Sequence, residues 1–200
     1  MAKDIGEEIV GAWLRHVEGC DFVQYNVPTR KKQGEIDVVG LNLQTHIVYV
    51  CEVATHTQGL EYTRYGVTNT YNGLLKKFNV DIEYAKKYLS EFTQKFMFWS
   101  PVVRLPVGDA TKHNIFLDLA HIQKEVFTTH GVEIEMVINE NYLNKVNQLK
   151  NQSGEETAAS EYPVFRMLQI IGSLERHVAK LHKRNVTDSQ QIIKDLQDKL

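Results

Sequence analysis

Residues 46–53 carry Ile47, Val48, Tyr49, Val50 and Cys51 as an unbroken apolar run. Successive side chains of a strand point to opposite faces, so such a strand is apolar on both and must be covered on both. That requirement places it at the centre of a sheet with helices on each side. The rest of the chain reads accordingly. Ile5, Ile9, Ala12, Trp13 and Val17 recur at helical spacing and predict a helix over 3–18, with Asp4 as its N-cap and Gly19 as its stop. Strands are expected over 22–27, closed by Pro28, and over 35–40, with a tight turn at 41–45. Residues 55–73, rich in Thr, Gly and Tyr without a period, read as a loop. Leu75, Phe78, Ile82, Ala85 and Leu89 predict a helix over 74–93. A strand at 95–101, a helix at 114–130, a strand at 132–138 and a helix at 140–150 complete the alternation. The order implies an α/β fold, a mixed sheet flanked by helices.

Composition adds exclusions. At 200 residues, 42% hydrophobic and 24% charged, the chain can bury roughly 70% of its unfolded surface without disulfides or a structural metal. No apolar run approaches the ~20 residues that span a bilayer, so no membrane partner is expected. Asp4 and the pair Glu7-Glu8 in MAKDIGEEIV stand where a signal peptide needs an apolar stretch. Cys20 and Cys51 lack a metal or redox spacing and read as reduced core thiols of a cytoplasmic protein. The net charge of -2 gives no global basic field for nucleic acid, so any such contact must be local.

Residues 151–161 have linker composition, which divides the chain into a domain over 1–150 and a helical segment over 162–200. In that segment Val164, Met167, Ile171, Leu174, Val178 and Leu181 are spaced alternately three and four apart. A stripe of this kind left in water is unusual for a monomer, and a homodimer through this helix is expected.

The chemistry concentrates in Gly34-Glu35-Ile36-Asp37 and in Cys51-Glu52-Val53-Ala54. Pairing of the two strands brings Asp37 and Glu52 together at one edge of the sheet, beside an apolar core. Crowded carboxylates in dry surroundings repel, and a hard divalent cation relieves them, with the Val53 carbonyl as a further ligand. Arg30, Lys31 and Lys32, just ahead of the acidic strand, are placed to meet phosphates. Tyr62, Tyr65 and Tyr71, with Arg64 among them, form a loop suited to stacking on bases. His56 lies four residues past Glu52. Bland readings stand beside each: a solvated basic turn, a packing loop, and for Glu7 and Glu8 two acids that favour a helix dipole.

A helix bearing Gly6-Glu7, then G-E-I-D on a strand, then an apolar strand ending C-E-V, resembles the PD-(D/E)xK nuclease superfamily. The likeness is to its restriction-endonuclease-like and Holliday-junction-resolvase-like branches and covers about residues 3–100. It implies a restriction-endonuclease-like fold and a Mg2+- or Mn2+-dependent DNA endonuclease. Glu7 would match the helix glutamate, Asp37 the strand aspartate and Glu52 the second acid. The family's lysine two residues after that acid is Ala54 here. Some members carry it on the following helix, where Lys76 and Lys77 stand, and Lys77 is the preferred candidate. Without a lysine in reach, the expected alternative is an inactive module that binds nucleic acid or a protein.

Overall fold

The computed structural model describes residues 4–29, 34–64, 67–105, 114–183 and 189–197. Helix α1 (Ile5–His16) is followed by strands β1 (Phe22–Pro28), β2 (Glu35–Asn42) and β3 (Ile47–Val53). A two-stranded ladder, β4 (Thr63–Arg64) with β5 (Val67–Thr68), precedes helix α2 (Thr70–Tyr88). Strand β6 (Thr93–Ser100), helix α3 (Ile115–His130), strand β7 (Ile134–Ile138) and helices α4 (Asn139–Glu155), α5 (Pro163–Lys183) and α6 (Ser189–Gln197) complete the order.

The main sheet runs β1-β2-β3-β6-β7. Its first three strands are antiparallel, whereas β3, β6 and β7 are parallel. The parallel pairs need long crossovers, which α2 and α3 supply. Strand β3 is indeed central. Val48 and Val50 pack with Leu74, Phe78 and Ile82 of α2, and Tyr49 and Cys51 pack with Val10, Trp13 and Leu14 of α1. The fold is α/β with a mixed sheet between helices, as the doubly apolar strand requires.

Local chemistry explains several boundaries. Asp4 caps α1, its Oδ1 accepting the Gly6 N–H at 2.8 Å, and Asn114 caps α3 through the Leu117 N–H at 3.1 Å. Helix α2 starts four residues earlier than its apolar spacing suggests, because Thr70 is fixed by the preceding segment, its Oγ1 accepting the Tyr62 N–H at 3.0 Å. The segment expected to be all loop therefore holds a small ladder and the first turn of a helix. Helix α4 likewise runs on to Glu155, into residues with linker composition. Leu149 and Ser153 are buried there, and that tertiary contact outweighs a weak local propensity.

Gly11 marks the closest approach of α1 to the sheet, since a Cβ at this position would overlap the Tyr25 ring. Gly11→Ala is expected to destabilise the fold by about 1–3 kcal/mol, the usual cost of overpacking. Chemical denaturation would measure it.

Candidate active site

The cross-strand register pairs Val38 with Cys51, so the next pair outward is Asp37 with Glu52. Both carboxyls lie on the α2 side, at the end of the two strands. They sit inside the sheet, between β1 and β6, rather than at its lateral edge, because β2 and β3 are internal. Asp37 is fixed by the Val53 N–H, which donates to its Oδ2 at 2.7 Å. Glu52 is only 2% exposed.

Lys77 reaches both acids from the first half of α2. Its Nζ lies 3.3 Å from Asp37 Oδ2 and makes an ion pair with Glu52 Oε2. Lys76 is exposed. The preference for Lys77 has a simple physical reason. It is one residue before Phe78 and three after Leu74, which both face the core. Ala54, where the resembled family has its lysine, is 2% exposed and packs in the same α2-side core. The ammonium thus enters the same side of the sheet from a helix. Burial disfavours the charged Lys77, but Glu52 and Asp37 more than offset this and hold it protonated, above the usual lysine range.

Asp81, one helical turn after Lys77, sets its carboxyl against that of Glu52 and is 2% exposed. Sequence reading missed it. The signal was there, since Asp81 falls on the stripe defined by Leu74, Phe78 and Ile82, where an unpaired charge is costly. Burial pushes Glu52 well above the usual carboxylate range; the Lys77 ammonium opposes this, and Asp37 and Asp81 reinforce it. Burial also raises Asp81, to about 7, against the opposing pull of Glu52 and Lys77. The folded protein therefore holds a proton here that the unfolded chain releases near pH 4. The stabilisation it brings is complete below that pH and is lost as pH rises through about 7, by at most about 1.4 kcal/mol per unit. Asp81→Asn is expected to flatten this slope. Melting temperatures between about pH 5 and pH 8 would check it, wild type falling relative to the variant.

The remaining candidates divide. Glu7 lies at the rim. Asn26 Nδ2 donates to its Oε2 at 3.3 Å, and burial followed by the nearby Asp37 raises its carboxyl. Gly6 lets α1 come this close, because a Cβ there would overlap Thr55 Oγ1, which donates to Asp4 at 2.6 Å. Tyr62 packs against the α2-side core with its ring edge-on to His56 at 5.3 Å. Its ring lies near Lys77, Glu52 and Asp37 as a wall of the site, and its backbone is tied to Thr70 and Asn69. Arg30, Lys31, Lys32 and Tyr65 lie outside the described residues, and so does the side chain of Arg64.

Glu52 Oε1 and Asp81 Oδ2 are buried, Glu52 Oε2 is paired with the Lys77 ammonium, and hard oxygens of this kind suit Mg2+ or Mn2+. Among the described residues no group of three or more His, Cys, Asp or Glu side chains is arranged to hold a metal. The chain's offer is two carboxylates and the Val53 carbonyl, with water and phosphate oxygens to complete the shell, and Mg2+ accepts that composition. Compared with known families, curated proteins and solved structures, the chain matches none. The site's own geometry therefore carries the functional argument.

Proposed function

We propose that the protein is a metal-dependent endonuclease that hydrolyses phosphodiester bonds of DNA, with Mg2+ or Mn2+ as cofactor. The observation that carries the reading is the Lys77 ammonium against both Asp37 and Glu52. It supplies the cationic group whose usual place is taken by Ala54. Asp37, Glu52 and the Val53 carbonyl would hold the cation. When bound, the cation offsets phosphate charge and lowers the pKa of water. Lys77 acts as a donor rather than a base, because it stays protonated between two acids. It orients a phosphate oxygen or the attacking water in line with the bond that breaks. The water oxygen would bond to phosphorus as the bond from phosphorus to the sugar oxygen breaks, the water giving up one proton to solvent and the departing sugar oxygen taking one up from solvent. Glu7 bounds the site on the α1 side. Arg30, Lys31, Lys32, Arg64 and Tyr65 are assigned to the DNA backbone and bases.

We also assign the protein to the cytoplasm, in restriction, repair or phage defence, with a second copy of itself as partner. Buried free thiols at Cys20 and Cys51 support the location. Among the described residues, no helix is long and apolar enough to cross a membrane.

One feature favours a second reading, an inactive nuclease-fold module that binds nucleic acid or a protein. Lys77 already balances the carboxylates, so charge neutrality alone does not demand a cation. A cleavage assay across duplex, branched and single-stranded DNA separates the two. Product in Mg2+ or Mn2+ that vanishes with chelator supports the enzyme; binding without cleavage in either ion supports the module.

A further inference from the structure

Helix α5 is 21 residues long, yet its buried residues all lie in its first two turns. Val164, Phe165 and Gln169 are buried there, and the Phe165 ring stacks on His16 with centroids 3.6 Å apart. From Met167 onward the apolar stripe is open, with Met167 51%, Ile171 38%, Leu174 59% and Val178 36% exposed. Their alternating three-and-four spacing is the seam of a helix that packs on another helix.

The two ends of α5 differ in charge. Glu155, Glu156 and Glu161 precede it, Glu156 held by His16 at 3.0 Å; residues 151–161 contain no basic side chain, and Arg166 is the one basic residue in the first two turns of α5. Arg176, His177, Lys180, His182 and Lys183 crowd its last two turns, where no acid follows Glu175. Glu175 itself is taken by Lys150, at 3.0 Å.

We infer that two copies of the chain pair through α5 in antiparallel orientation, about a two-fold axis near residues 172–173. The inference rests on the reading that a second copy is the partner, and it is independent of the nuclease chemistry. Antiparallel pairing sets each copy's basic end over the other's acidic end, whereas parallel pairing stacks like on like. The seam is symmetric about the same point. Ile171 then meets the partner's Leu174, and Met167 meets the partner's Val178. Such an interface is isologous and closes as a dimer.

Two measurements on the full chain test this. In sedimentation equilibrium at micromolar concentration the wild type is expected as a dimer. The double variant Ile171→Glu/Leu174→Glu is expected to weaken the dimer by more than ~100-fold. Both side chains are exposed, so the variant keeps its circular dichroism. A spin label on Lys183→Cys reports orientation, since the two native thiols are buried. Antiparallel helices put the two labels about 30 Å apart along the axis, from a rise of about 1.5 Å per residue. Parallel helices bring them to about 10 Å. A dimer lost in the double variant, with the long label distance in the wild-type background, supports the inference. A short distance overturns the orientation alone. A dimer indifferent to the double variant overturns the surface. A wild-type monomer, as when the stripe is covered by the chain's own α6, overturns the second-copy reading with it.

Discussion

Asp37→Ala and Glu52→Ala are each expected to abolish Mg2+- or Mn2+-dependent DNA cleavage while the chain stays folded. Each removes one of two carboxylates that share a single cation's charge, and one carboxylate with a carbonyl is a poor Mg2+ ligand set. Stability changes little because two opposing terms meet. Removing Glu52 leaves space in the core, but it also removes a buried acid whose burial and acidic neighbours Asp37 and Asp81 disfavour its charge. Removing Asp37 leaves the Val53 N–H without its acceptor, a cost of roughly 1–3 kcal/mol that the relieved repulsion between Asp37 and Glu52 offsets in part. Thermal melts of each variant separate lost chemistry from lost fold. Wild-type cleavage by the double variant would sink the proposed site.

Lys77→Ala is expected to lower turnover by roughly 10²–10⁴-fold, the usual worth of a positioned proton donor or acceptor, while DNA binding persists. Lys76→Ala, on the exposed face, is expected to cut normally. The Lys77 variant carries a second signature. Without the ammonium, Glu52 and Asp37 are left facing each other with Asp81 beside them. Breaking a buried pair from one side costs roughly 3–5 kcal/mol. The lower part of that range applies, because the Lys77 side chain is 37% exposed and water screens it. This loss should shrink as the solution is acidified, since the acids can then take up protons instead. Melts of wild type and variant at neutral and acid pH read it directly. Normal turnover together with a pH-independent melting difference would remove Lys77 from the site.

Much of this organisation is written in local pattern. The run from Ile47 to Cys51 suffices to make β3 a central, twice-covered strand, because alternation along a strand leaves no other way to keep both faces dry. Asp4 and the helical spacing of α1 fix that helix close to where it lies, because caps and periodicity act within a few residues. The juxtaposition of Asp37 and Glu52 is also legible, since one tight turn sets the register of a hairpin. Lys77 was one of two adjacent candidates. The choice between them belongs to the rotation of α2 about its axis, which Leu74 and Phe78 set by burying themselves.

Tertiary structure decided the rest. Helix α4 runs through residues of linker composition because Leu149 and Ser153 find a buried place, and no local signal encodes that. Tyr62 became a wall of the site because its backbone is tied to the start of α2. Asp81 joined the site because α2 crosses over the ends of β2 and β3. That crossing brings together residues about 30 to 45 positions apart in sequence, and only packing of α2 on the sheet determines it. The sequence by itself determined the layers and the acidic pair, because both follow from side-chain alternation and short-range turns. The number of acids around Lys77 was decided by the fold, because it depends on how a helix lands on a sheet.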